Sequence, residues 1–273
     1  MNNNREDNNA VSADIKSTAV NLSVVLPTYN EMHRLPQTMR EVLPYLQQNF
    51  PDYELIIVDD NSPDGTAAWI SEHYADNPRV KILVQSGRIG KGAAVRRGCL
   101  AAQGELVLFM DADHATPISE LDAIVPYFKD PKVQVVTGVR TYQENESKSR
   151  RILGLTAQIL AHIVVFQKAV VDSQCGFKIF RRDTVRRIFP LLQINGGMID
   201  VELFFLLHKF NIPCRYQPVR WDNKDFSRIN VLRCIMLDPL DMIKIRIRDL
   251  LGGYGARDQI LESNEPKSAK NPA

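Results

Sequence analysis

Residues 105–113 read ELVLFMDAD. A glutamate and five apolar residues run into two aspartates set two apart. A short, continuous apolar run of this kind marks a strand buried on both faces, and the acidic pair sits at its carboxyl end. The same grammar recurs on either side. LSVVL (22–26) is stopped by Pro27 and followed by Thr-Tyr-Asn-Glu, ELIIV (54–58) runs into Asp59, Asp60, Asn61 and Ser62, and VKILV (80–84) and VQVVTG (133–138) supply two more runs. Helical patterns lie between them at 35–49, 66–74, 91–102 and 118–129; Pro36 opens the first, where its missing N–H costs little. Strands alternating with helices predict an α/β fold, a mostly parallel central sheet flanked by helices. In such sheets ligands bind beyond the carboxyl ends of the strands.

The second half reads differently. A long helix is expected over 148–170, followed by DSQCGFKIFRRD (172–183), a helix at 199–210, a strand at 213–221 and an amphipathic stretch at 228–251, which Pro239 is expected to split into two short helices. We read one domain over 21–252, with a nucleotide-binding half at about 21–140 and an acceptor half at about 141–252. Residues 1–20 and 253–273 read as flexible ends.

The composition is that of a globular chain. Of 273 residues, 44% are hydrophobic and 24% charged, which excludes a disordered or fibrous protein. Thirty-four basic residues against 32 acidic ones leave a net charge of +2, so no bulk field recruits nucleic acid. Cys99, Cys175, Cys214 and Cys234 form neither a zinc spacing nor a disulfide framework and read as reduced thiols of a cytoplasmic protein. No secretory signal opens the chain, and the most apolar stretch, 152–171, is interrupted by Gln158, His162, Gln167 and Lys168. It reads as a buried or interfacial helix rather than a membrane span.

The chemistry gathers at the strand ends. Asp111 and Asp113 repel one another unless a positive charge lies between them. A hard divalent cation, Mg²⁺ or Mn²⁺, bridging to a diphosphate is the natural partner. Alone, Asp-x-Asp is equally a turn or helix-capping pair; its place beside two further polar clusters favours the metal. In one cluster, Tyr29 is suited to stack on a base and Glu31 to contact a ribose. In the other, Asp59 and Asp60 offer carboxylates to a nucleoside, or build an Asx turn. Gly87-Arg88-Ile89-Gly90-Lys91-Gly92 resembles a phosphate-cradling loop but fits neither G-x-x-x-x-G-K-[ST] nor G-x-G-x-x-G, which argues against a P-loop or dinucleotide fold. Lys91 still offers positive charge to a diphosphate, with Arg96 and Arg97 behind it.

Taken in order, LSVVLPTYNE, ELIIVDDNSPDGT, GKGAAVRRG and FMDAD resemble glycosyltransferase family 2 with a GT-A fold. DSQCGFKIFRRD, IDVELFF and WDNKDFSRI (221–229) resemble its prenyl-phosphate branch, the glucosyl enzymes ahead of the mannosyl ones. The resemblance implies a sugar-nucleotide donor held by Pro27, Tyr29, Glu31 and Asp59, and a metal on Asp111 and Asp113. It further implies Asp172 facing the sugar, an acceptor phosphate on Arg151, Ser227 and Arg228, and a sugar pocket shaped by Asp200 and Glu202. Asp172, Asp113 and Arg151 are then the catalytic set. Ala115 stands where mannosyl enzymes place a glutamine ligand, leaving His114 as a candidate substitute, and Cys175 replaces the mannosyl serine.

The resemblance implies an inverting transfer of a hexose, glucose from UDP-glucose, to a polyprenyl or dolichyl phosphate. That acceptor is an anion at neutral pH and needs no general base; a hydroxyl acceptor would need one, with Asp172 or Asp200 the candidates. The alternatives are GDP-mannose as donor, a soluble family-2 enzyme with a non-lipid acceptor, and a non-catalytic sugar-nucleotide-binding module. The basic, apolar 228–251 stretch suits peripheral binding to the cytoplasmic face of a membrane, a core-packed helix or a homo-oligomer contact.

Overall fold

The computed structural model describes residues 21–141, 172–222 and 231–255, with backbone alone over 231–237. The expected helix at 148–170, and Arg151, Ser227 and Arg228, lie outside the described residues.

The apolar runs form the strands expected of them. β1 (Leu22–Thr28), β2 (Tyr53–Asp59), β3 (Val80–Val84) and β4 (Leu106–Met110) alternate with α1 (Leu35–Asn49), α2 (Thr66–His73) and α3 (Lys91–Ala101). After β4 the chain makes a 3₁₀ turn, one α-turn (α4, Leu121–Ile124) and a second 3₁₀ turn over Val125–Lys129 before β5 (Val135–Thr141). The single helix expected at 118–129 is thus broken, and the second 3₁₀ turn starts around Pro126. Beyond the undescribed segment come β6 (Phe177–Arg181), α5 (Arg182–Ile188), α6 (Ile199–Lys209), β7 (Cys214–Arg220) and α7 (Val231–Leu250).

The seven strands form one sheet in the order β3-β2-β1-β4-β6-β5-β7. β1 pairs in parallel with β2 and β4, and β5 with β7, whereas β6 is antiparallel to both β4 and β5. The sheet is therefore mostly parallel with one reversed strand. Because β6 runs backwards, its first residue Phe177 pairs with Met110, the last residue of β4. This brings the turn at Cys175-Gly176 against the carboxyl end of β4, where the acidic pair begins.

Alternate side chains fill two cores. Val25, Ile56, Val107 and Phe109 pack on one face with residues of α3, α6 and α7. Val24, Leu55, Ile57 and Leu108 pack on the other with α1. Both faces are dry, which is why these strands read as unbroken apolar runs.

α7 corrects the expected split at Pro239, since the 20-residue helix continues through it. Proline removes one N–H donor, but its fixed φ is helical. Burial of Met242 and Ile245 holds the helix on the domain. Pro44 is likewise accommodated inside α1. The flexible end expected from residue 253 also begins too early. Tyr254 is fully buried and donates its hydroxyl hydrogen to Glu202 Oε1 at 2.7 Å.

Candidate active site

The carboxyl ends of β1, β2 and β4 each lead into a residue with left-handed backbone, Asn30 (φ 56°), Asn61 (φ 59°) and His114 (φ 52°). These turns reverse the chain sharply and leave polar side chains at one edge of the sheet.

The loops after β1 and β2 are stitched together. Asp59 is wholly buried, and its carboxylate accepts from Ser62 N (2.7 Å), Ser62 Oγ (2.6 Å) and Thr28 Oγ1 (3.1 Å). Asp60 Oδ1 accepts from Gln85 Nε2 (2.7 Å) and Ile89 N (2.8 Å). Both carboxylates are thus satisfied by the protein and fix the surrounding loops. Asp60 anchors the 85–89 loop, from which Arg88 lies over the Tyr29 ring at 4.2 Å. Glu31 forms a two-pronged ion pair with Arg34, both contacts 2.6 Å. Arg34 in turn lies in the field of Asp113 and Asp111.

The acidic pair is held from several sides. Asp111 N donates to Gly176 O (3.0 Å), Thr38 Oγ1 to Ala112 O (2.7 Å), Ala115 N to Asp113 Oδ1 (3.0 Å) and Asp222 N to Ala115 O (2.8 Å). A Cβ on Gly176 would stand 2.0 Å from Asp111 Oδ2, so any larger residue there displaces the Asp111 carboxylate. Burial, then the neighbouring Asp111, hold the Asp113 carboxyl above the usual aspartate range. Lys91 Nζ lies 2.6 Å from Asp111 Oδ1, and each side chain remains about one-third exposed. Burial by itself would lower the Lys91 pKa; Asp111, Asp200 and Asp113 outweigh it and raise it.

The donor set fits a hard divalent cation. Asp111 and Asp113 lie in one another's field, Asp111 is partly exposed, and Asp113 carries an unfavourable charge that a cation would relieve. Among the described residues no group of three or more His, Cys, Asp or Glu side chains is placed to hold a metal. His114 is corrected as a candidate ligand. Its Nε2 accepts from Ile118 N at 2.9 Å and its Nδ1 is 2.7 Å from Glu41 Oε2, so neither ring nitrogen is left for a metal.

The loop over 87–92, which fits neither phosphate-binding pattern, is closed by the protein itself. Gly92 N and Ala93 N, the first amides of α3, donate to Asn195 O at 2.7 and 3.4 Å. A Cβ on Gly92 would meet Ile194 O at 2.4 Å, so this packing requires glycine. From that loop, Lys91 reaches the acidic pair through its side chain.

Asp172 is buried and gripped by Arg140. The guanidinium contributes Nη2 to Oδ1 (2.8 Å) and Nε to Oδ2 (2.9 Å), and Arg140 N adds a third bond at 3.1 Å. The Arg140 guanidinium also lies 5.6 Å from the centre of the Trp221 ring. Asp200 is paired with the wholly buried Lys178 at 2.7 Å. Lys178 also donates to Cys175 O and sits between the rings of Phe109 and Phe204. Glu202 accepts from Gln193 N and Ile194 N, both 2.8 Å, besides Tyr254, and so holds the loop that closes on Gly92. The Cys175 thiol is pushed up to about 11 by burial and is no nucleophile.

Sequence reasoning did not single out Arg34, Arg140 or Lys178. Arg140 was within reach. The apolar run was ended at Gly138, whereas β5 continues to Thr141 and places Arg140 at the same edge. Lys178 gives no such signal, since a lysine in a strand reads as solvent-facing.

A mostly parallel sheet with Asp-x-Asp after β4 and polar turns after β1 and β2 is the layout of a GT-A-type glycosyltransferase. The family model described as glycosyl transferase family 2 matches residues 23–189, and the chain belongs to that family. It is 34% identical to the dolichyl-phosphate β-glucosyltransferase of Dictyostelium discoideum, over 85% of this chain and 75% of that protein. It is also 34% identical to the human dolichyl-phosphate β-glucosyltransferase, over 85% of this chain and 77% of that one. In fold it resembles the glucosyl-3-phosphoglycerate synthase of Mycobacterium tuberculosis, solved with Mn²⁺ and UDP-glucose, with a TM-score of 0.60 at 19% identity over 92% of this chain and 83% of that one.

Proposed function

We propose that this chain is an inverting, metal-dependent hexosyltransferase that moves glucose from UDP-glucose to a polyprenyl or dolichyl phosphate. The observation that carries this reading is the condition of the two candidate bases. Asp172 is bonded to Arg140 and Asp200 to Lys178, so both carboxylates are already engaged by cations. A hydroxyl acceptor needs such a base. A phosphate monoester, with a second pKa near 6, is already an anion and needs alignment instead. The names of the curated relatives, which specify dolichyl phosphate and a glucosyl group, support the same choice.

On this reading Pro27 and Tyr29 flank the base, with Arg88 across the ring, and Glu31 contacts the ribose. Asp59 and Asp60 hold the loops that present them. Asp111 and Asp113 hold Mg²⁺ or Mn²⁺, which when bound draws charge from the departing diphosphate. Lys91 adds a second positive charge on the same side. Arg140, fixed by Asp172, presents a guanidinium where sugar and acceptor phosphate meet, joined by Arg151, Ser227 and Arg228. Asp200 and Glu202 shape this pocket from behind, through Lys178 and the 193–195 loop.

The lipid acceptor gives α7 a role. Leu240, Ile243, Ile247, Leu250 and Leu251 are exposed at helical spacing, and Lys244 is exposed among them. No described helix is long and apolar enough to cross a membrane. An apolar stripe edged by basic residues suits the plane of an anionic bilayer surface, and we propose that α7 rests there on the cytoplasmic face.

The test is a donor panel with polyprenyl phosphate and Mn²⁺. UDP-glucose is expected to give a lipid-linked, acid-labile sugar and EDTA to abolish it. Transfer from GDP-mannose alone, or undiminished transfer in EDTA, contradicts the proposal.

A further inference from the structure

The charges behind the acidic pair form a file of alternating sign. Lys178 Nζ stands 2.7 Å from Asp200 Oδ1. Asp200 lies in the field of Lys91, and Lys91 Nζ stands 2.6 Å from Asp111 Oδ1, with Asp113 two residues further on. The inner members are immobile, since the Lys178 and Asp200 side chains are 0% and 4% exposed. The outer pair, Lys91 and Asp111, is 35% and 36% exposed. The amides that follow Lys91, those of Gly92 and Ala93, are pinned to Asn195 O, which leaves the Lys91 side chain as the part free to swing.

A divalent cation on Asp111 and the Lys91 ammonium compete for one carboxylate. We propose that Lys91 is an internal stand-in for the metal. Before the donor arrives its ammonium neutralises Asp111 and keeps free cation out. A nucleoside diphosphate releases Asp111 by giving the ammonium another anion to pair with, and Asp200 keeps the side chain from leaving the site. Metal and nucleotide therefore bind as a pair rather than in sequence, a coupling set by one side chain. This rests on the reading of Asp111 and Asp113 as ligands of a cation shared with a diphosphate.

The test is calorimetric titration of the full chain with MnCl₂ and, separately, with UDP, for the wild type, Lys91→Met and Lys91→Arg. Mn²⁺ alone is expected to bind Lys91→Met about tenfold more tightly than wild type. UDP alone is expected to bind it about fivefold or more weakly. Lys91→Arg should return both values toward wild type. Opposite movements separate this role from damage to the fold, which weakens both ligands. If Mn²⁺ and UDP together bind the wild type but Mn²⁺ alone binds Lys91→Met no more tightly, the stand-in role is overturned while the metal reading survives. If Mn²⁺ does not bind the wild type even with saturating UDP, both fall together.

Discussion

Gly176 and Asp113 show how little room the acidic pair leaves. A methyl group on Gly176 would collide with the Asp111 carboxylate at 2.0 Å, while the backbone bond between the two residues prevents retreat. Gly176→Ala should therefore lower metal-dependent transfer about 100-fold, the scale of an ångström-sized misplacement, with a small change in Tm. Transfer kinetics beside a thermal melt measure both. Asp113, a ligand on the proposed reading, carries a charge that the fold resists. Its folded pKa is raised, so the native state holds a proton more tightly than the unfolded chain does. Metal-free stability should thus fall as pH rises from the unfolded aspartate pKa, about 3.9, through the folded one, and level off above it. At neutral pH without metal, Asp113→Asn is expected to melt above wild type and to have lost transfer. A lower melting temperature would contradict this account of the site. His114 carries the matching lesson, since a histidine beside the pair looked like a ligand until Glu41 and Ile118 were seen to occupy both nitrogens.

Among the elements, the strands flanked by helices were legible because both faces of the sheet are dry, and their apolar runs end where their polar clusters begin. β6 was not. Its Lys178 is tolerated only because Asp200, 22 residues away on α6, supplies a charge inside the core. No local pattern announces such a partner. Lys178→Met leaves Asp200 uncompensated and should cost about 3–5 kcal/mol of stability, measured by denaturant unfolding. Helix breaks were misjudged in both directions. Pro239 did not break α7, where burial of Met242 and Ile245 outweighs one lost N–H, whereas the chain near Pro126 did not form the single helix expected. The position of Tyr254 was also illegible, because a tyrosine in a Gly-rich end reads as tail. Tyr254→Phe removes a hydrogen bond to a buried carboxylate and is expected to cost about 1–3 kcal/mol.

Over the whole molecule, one reversed strand joins the two halves into a site. It carries Cys175-Gly176 to the end of β4, and the segment just before it presents Asp172 to Arg140 at the end of β5. On the proposed reading, the nucleotide side and the acceptor side meet along the carboxyl edge of a single sheet. α7, packed against the same domain, turns its apolar stripe outward. Ile243→Glu with Ile247→Glu should weaken co-sedimentation with anionic liposomes about tenfold or more. Transfer to a short, water-soluble prenyl phosphate should be retained. Unchanged sedimentation would remove α7 from the membrane account.

The central claim is that the acceptor brings its own negative charge and the enzyme no base. It is tested most directly by offering one polyprenyl chain in two forms, as the phosphate and as the free alcohol, with UDP-glucose and Mn²⁺ across a pH series. The account predicts glucose on the phosphate alone, at a rate that follows the second phosphate ionisation and is then flat. Glucosylation of the alcohol, with a rate that falls as a protein carboxylate becomes protonated, would contradict it.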